Sequence, residues 1–342
     1  MKKLFTFVVV AFSLFACSQT ETNKEQVAAL PPVPEPLEEA KRFFSPLPVL
    51  AESKDNPLTP QKVALGKSLF YDTRLSKDGK NSCNSCHNLE NFGVDGEATS
   101  EGEAGKRGDR NSPTVLNAAF HSTQFWDGRA KDVEEQAGGP ILNPAEMAVP
   151  TEAFLVKRLR EVPEYRKLFA EAFPEDRQPI SYANIRRSIA AFERTLTTPC
   201  RFDRYLEGDV NALSAEEKAG LKLYIETGCV QCHAGPMLGG MMLQKFGIFA
   251  DYRSELKGVK DDPGRMQVTK DSTDKDVFKV PALRNIAMTG PYFHNGSVKD
   301  LDEAVRVMAK VQLNKDLTPE QRQSIITFLG ALTGEVPVSA KQ

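Results

Sequence analysis

Residues 81–90 read NSCNSCHNLE and set Cys83, Cys86 and His87 in a Cys-x-x-Cys-His frame. Residues 228–235, GCVQCHAG, set Cys229, Cys232 and His233 in the same frame. A zinc ion, a redox disulfide or a haem could be held by such a frame, and one answer must serve both copies. Structural zinc takes four ligands, which two Cys-x-x-Cys pairs could supply together, but it leaves the adjacent histidines no repeated role. A thioredoxin-like motif needs a surrounding βαβ pattern, and none is visible. Covalent haem uses all three positions: the thiols form thioethers to the vinyl groups and the histidine lies under the iron as proximal ligand. The sequence therefore predicts two covalently bound c-type haems.

The flanks agree. TPQKVALGKSLFYD (59–72) opens with a Thr59 cap and Pro60, then shows helical apolar spacing. SAEEKAGLKLYIETG (214–228) opens with a Ser214–Glu217 capping box and ends at Gly228. Both helices carry Gly-x-x-Leu-aromatic, as Gly66, Leu69, Phe70 and Gly220, Leu223, Tyr224, which reads as a weak internal repeat of one haem-bearing helical module. Further helices are predicted at 151–173, 181–196, 300–311 and 318–333. Strand signals are few, so the expected fold is mainly α with long loops around the haems.

The whole chain sets the context. Its 342 residues suffice for two domains, and 40% hydrophobic with 26% charged residues is a globular composition. A formal charge of −2 argues against nucleic-acid binding. Lys2 and Lys3 precede an apolar run from Leu4 to Ala16, which fits a signal peptide over residues 1–16. Leu14, Phe15, Ala16 and Cys17 resemble a bacterial lipobox, in which Cys17 would receive lipid and tether the protein to a membrane without a spanning helix. Residues 17–45, with PPVPEP at 31–36, read as a flexible linker.

Four histidines are present, and two serve as proximal ligands; His121, His294 and the methionines remain as candidates for the sixth positions. A Met ligand raises reduction potential, bis-His leaves it low, and an open face can meet a small substrate. The count suggests asymmetry, with one haem closed for electron transfer and one more open for chemistry.

QFWDGRAKDVEEQAGGPILNPAEM (124–147) and VPALRNIAMTGPYFHNGSV (280–298) resemble the bacterial dihaem cytochrome c peroxidases, and with the paired haem motifs the likeness spans roughly residues 46–335. The resemblance implies two cytochrome c-like haem domains. Residues 46–198 would carry the peroxidatic haem on Cys83, Cys86 and His87. Residues 199–336 would carry the electron-accepting haem on Cys229, Cys232 and His233, with Met308 as its distal ligand. It further implies Trp126 as an electron bridge between haems, Glu146 as the distal carboxylate and Gln136 as a pocket residue. A positioned carboxylate suits peroxide cleavage, which requires a proton moved from one oxygen to the other. Asn111 with the carbonyls of Thr289 and Pro291 matches the family's calcium site, a plausible hard-cation shell.

The implied reaction is reduction of hydrogen peroxide to water with electrons from a small cytochrome c or cupredoxin, by a periplasmic, lipid-tethered homodimer. Two rival readings remain. One is a dihaem enzyme oxidising a partner protein, of the methylamine dehydrogenase maturation type, which carries Tyr where this chain has Met308. The other is a non-catalytic dihaem electron carrier. His294 is read as a structural or haem-propionate contact, while His121 and Cys200 match no family role. Many family members place a distal histidine sixteen residues after the proximal one. Here that position is Glu103, expected on a flexible, solvated loop with Gly102, Ala104 and Gly105, so the oxidised peroxidatic haem is expected not to be bis-His.

Overall fold

The computed structural model describes Met1 and residues 36–342, Lys257 excepted. The signal segment, Cys17 and most of the linker lie outside the described residues. The helices in chain order are α1 (Leu37–Ala40), α2 (Pro60–Tyr71), α3 (Cys83–Cys86), α4 (Val133–Leu142), α5 (Glu152–Arg160), α6 (Pro163–Ala172), α7 (Tyr182–Glu193), α8 (Arg201–Leu206), α9 (Ala215–Thr227), α10 (Tyr252–Glu255), α11 (Met266–Thr269), α12 (Leu301–Leu313) and α13 (Pro319–Gly330). Strands β1 (Leu243–Lys245) and β2 (Val277–Lys279) pair antiparallel. Among the described residues no helix is long and apolar enough to cross a membrane.

The helix expected over 151–173 is two helices. Pro163 starts α6 and excludes helical backbone at Val162, which is extended. The caps read from sequence are made: the side chains of Thr59, Ser214 and Thr318 accept from the N–H groups of Lys62, Glu217 and Gln321.

Among the described residues three buried clusters form, and the two larger ones are helical cores each built around one glycine crossing. Helix α2 lies so close to α7 that a Cβ on Gly66 would stand 1.9 Å from the Ser188 carbonyl oxygen. Helix α9 meets α13 in the same way, with Gly220 facing the Ser324 carbonyl at 2.1 Å. Next to each crossing an aromatic pair meets edge to face, Phe70 with Phe192 and Tyr224 with Phe328, both at 5.3 Å and 62°. The short motif shared by α2 and α9 is thus a packing element used twice.

A longer repetition follows the first. Residues 111–133 recur as 279–301 without a gap: Pro113 answers to Pro281, Asn117 to Asn285, Phe125 to Phe293, Gly128 to Gly296 and Asp132 to Asp300. The backbones agree, with Asn117 and Asn285 left-handed at φ 60° and 61°. Asp132 and Asp300 cap α4 and α12. The two copies embrace: Asn111 N–H donates to the His294 carbonyl at 2.8 Å, and Lys279 N–H donates to the Trp126 carbonyl at 2.7 Å.

Both ends of the described chain cross over. Residues 36–44, expected within an unstructured linker, are instead docked, because Leu37, Ala40 and Phe44 form an apolar stripe buried against Phe202 and Tyr224 in the second core. Leu47 N–H then donates to Asp203. At the other end Ala340 is buried in the first core, and its carbonyl accepts from the Tyr71 hydroxyl.

Candidate functional site

Each Cys-x-x-Cys-His stretch folds into a single tight turn. His87 N–H donates to the Cys83 carbonyl at 3.0 Å and His233 N–H to the Cys229 carbonyl at 2.9 Å, so each turn carries two thiols and an imidazole. Cys83 packs against the first core and Cys229 against the second, so the two pairs do not converge on one ion. Burial lowers the pKa of both histidines, which favours the neutral imidazole that a metal ligand must be. His233 Nδ1 lies 3.1 Å from the Leu238 carbonyl; donating there fixes the ring and leaves Nε2 free.

The second turn opens on an apolar cavity of about 250 Å³. Cys229, Cys232 and His233 line it, and so does Met308 from α12. An apolar chamber with two thiols, an imidazole and a thioether fits a haem with His and Met as axial ligands. Tyr224 braces this turn, its hydroxyl donating to the His233 carbonyl at 3.0 Å.

Glu146 sits just after α4, half-buried. Asn143 Nδ2 donates to its Oε1 at 2.8 Å, and the Asn143 carbonyl accepts from Glu146 N–H at 3.0 Å. Burial raises the Glu146 pKa, while Arg129 and the Asn143 hydrogen bond oppose that rise. Burial raises the Cys86 pKa, and the charges of Asp95 and Glu146 add to that rise. Arg129 is itself held, over the Phe125 ring at 3.4 Å and against Asp127 at 3.0 Å. Gln136 is half-buried on α4, upstream of Glu146. Asn143 and Arg129 were missed in the sequence; the Asn-Pro that ends α4 was the available signal.

Trp126 donates from Nε1 to the Asn111 carbonyl at 2.9 Å, and its ring meets His294 edge to face at 6.5 Å. His294 is buried, stacks on Phe278 at 4.2 Å, and is pushed by burial to a pKa of about 4. Asn111, Thr289 and Pro291 line the same cavity as Met308. Asn111 Nδ2 is engaged by the Glu97 carbonyl at 3.0 Å, which leaves Oδ1 as the acceptor. Cys200 is buried under Arg284, and burial pushes its thiol up to about 11, an unreactive position.

The loop at Glu103 departs from expectation. Glu103 is only 7% exposed, not solvated. Its N–H donates to the Glu146 carbonyl at 2.7 Å, and Gly102 lies so close that a Cβ there would stand 2.1 Å from the Ala145 carbonyl oxygen. Glu103 Oε2 is buried without a partner. Glycine therefore lets this loop press onto the Glu146 turn rather than move freely.

A di-haem cytochrome c peroxidase family model matches residues 60–211. The cytochrome c551 peroxidase of Nitrosomonas europaea is 47% identical over 282 residues, 82% of this chain and 82% of the relative. This chain belongs to the di-haem cytochrome c peroxidase family. The cytochrome c551 peroxidase of Pseudomonas aeruginosa is 44% identical over 88% of this chain and 87% of its own length. Among solved structures, a MauG-like protein associated with microbial copper homeostasis superposes with a TM-score of 0.75 at 31% identity, covering 84% of this chain and 94% of that one.

Proposed function

We propose that this family member reduces hydrogen peroxide to two waters, with two electrons from a small periplasmic cytochrome c or cupredoxin. The observation that carries the reading is Glu146, a half-buried carboxyl held at Oε1 by Asn143, whose charge is felt at Cys86 of the first Cys-x-x-Cys-His turn. Bound haems supply the electron-exchanging irons and, at the first, the place where peroxide binds. Asn143 fixes Oε1, so Oε2 is the atom that takes a proton from one peroxide oxygen and returns it to the other. Burial raises the Glu146 pKa above the ordinary carboxylate value, which favours return of the proton after it has been taken.

The two cytochrome c-like domains, 46–198 and 199–336, divide the work. The repeat supports this division, because the counterpart of Met308 on α12 is Pro140 on α4, which has no donor for an iron. In this assignment His233 and Met308 would both hold the second haem, and His87 alone would hold the first. Trp126, hydrogen-bonded across the seam of the repeat, lies on the electron route between them. Gln136 lines the peroxide pocket. Calcium at Asn111, Thr289 and Pro291 would tie the seam, and the protein would work as a lipid-tethered periplasmic homodimer through Cys17.

Steady-state peroxide turnover with a reduced monohaem cytochrome c as donor tests the reading. Turnover should be present and should fall about 10²–10⁴-fold in Glu146→Gln, with both haems retained. No turnover with any reduced cytochrome or cupredoxin, or full turnover in the variant, would overturn it.

A further inference from the structure

The proposed calcium residues Asn111, Thr289 and Pro291 have counterparts in the repeat, namely Lys279, His121 and Thr123. The reciprocal hydrogen bonds across the seam, Asn111 N–H to His294 and Lys279 N–H to Trp126, put Asn111 and Lys279 in equivalent places. Where one half offers oxygens for a cation, the other half carries a cation of its own.

Lys279 is 5% exposed, on β2. Its Nζ lies 3.0 Å from His121 Nδ1. Burial lowers its pKa to about 7, opposed by Asp127. Asp127 is already committed to Arg110 at 2.6 Å and to Arg129 at 3.0 Å. The imidazole is neutral, since burial and Lys279 hold its pKa well below the usual value. If Nδ1 accepts from Lys279, the proton is on Nε2, a buried donor with no partner. A buried ammonium beside a neutral ring is costly unless an anion completes it. Lys279 and His121 both line the cavity of Cys229, Cys232, His233 and Met308. The anionic groups that a haem brings into that cavity are its carboxylates.

We propose that the Lys279 ammonium, steadied by His121, binds a carboxylate of the second haem and so serves as the built-in counterpart of the calcium ion in the other half of the seam. The inference rests on the haem reading above. Its consequence is electrostatic: a cation beside the haem stabilises the reduced state, which carries one positive charge fewer. At an effective dielectric near 20 and a separation of several ångströms, losing that charge lowers the ferrous-to-ferric ratio at fixed solution potential roughly ten- to hundredfold.

The test is a spectroelectrochemical titration of the holoprotein, with reduced-minus-oxidised infrared spectra of the haem carboxylates. Lys279→Gln should keep two haems, shift the second midpoint downward and move a carboxylate band. Lys279→Arg should hold the midpoint near that of the wild type while still moving the band. If Lys279→Gln does not mature, the arginine variant decides alone: an unmoved carboxylate band overturns the proposal. An unchanged midpoint in haem-replete Lys279→Gln overturns it too. A wild-type protein with a single haem by pyridine haemochrome would instead overturn the haem reading.

Discussion

Truncating Asn143 to alanine separates a positioning role from a structural one. The side chain makes two hydrogen bonds, Nδ2 to Glu146 Oε1 at 2.8 Å and Oδ1 from Ala145 N–H at 2.9 Å. The backbone bond from Glu146 N–H to the Asn143 carbonyl survives the change. Asn143 lowers the Glu146 pKa against the rise caused by burial, so its removal pushes that pKa higher. A hydrogen bond to a charged group contributes about 1.5–3 kcal/mol, so the ionised form loses about ten- to hundredfold in its equilibrium with the acid. Glu146 must be ionised to accept the first proton. The acid limb of the pH profile for reaction with peroxide should therefore move to higher pH. On that limb the rate should fall by about the same ten- to hundredfold factor, with the alkaline plateau less affected. Stopped-flow mixing with peroxide from pH 5 to 9 reads this directly. A uniform loss at every pH, with an unmoved limb, would refute the argument and leave Asn143 as a mere part of the turn.

Three other perturbations have expected outcomes. Met308→His should keep both haems, replace His/Met by bis-His ligation at the second and lower its reduction potential in a redox titration, with the first haem's spectrum unmoved. Gly220→Ala should destabilise by about 1–3 kcal/mol in denaturant unfolding, because the new methyl meets the Ser324 carbonyl at 2.1 Å and α9 must shift from α13. Glu193 is raised by burial from 4.5 to about 8, so the folded protein holds a proton there that the unfolded chain releases. Its contribution is fully present below pH 4.5 and is lost as pH rises through about 8. Glu193→Gln should abolish that loss and gain about 3–5 kcal/mol on the wild type between acid and pH 9, read as the pH dependence of thermal unfolding.

Local chemistry made much of this molecule legible. The Cys-x-x-Cys-His turns, the caps at Thr59, Ser214 and Thr318, and the stop at Gly228 each depend on residues within one or two turns of the chain. What escaped depends on distant partners. Leu37, Ala40 and Phe44 have helical spacing, but the surrounding Pro and Glu hid an apolar face whose receiving surface lies beyond residue 200. Glu103 sits in a glycine-rich loop that looks mobile, and its burial follows from the backbone of Glu146, more than forty positions on. Lys279 in a polar-apolar strand resembles a surface lysine until His121, from the other half of the chain, is placed beside it.

The repeat explains why the sequence could suggest an asymmetric site without showing how it is made. Equivalent positions share backbone shape and differ in side chain: Trp126 answers to His294, Pro140 to Met308, Asn111 to Lys279 and His121 to Thr289. The matching φ values at Asn117 and Asn285, and the matching crossings at Gly66 and Gly220, mean that neither half needs a different scaffold to do a different job. In the proposed assignment, Met308 would hold one haem where Pro140 offers the other no ligand. An ammonium would fill one half of the seam, and the proposed calcium ion the other. An indole and an imidazole meet edge to face where the halves join. Division of labour between the haems then follows from a few side chains set on one duplicated frame. Exchanges at those positions, more than changes in the fold, should convert one kind of site into the other.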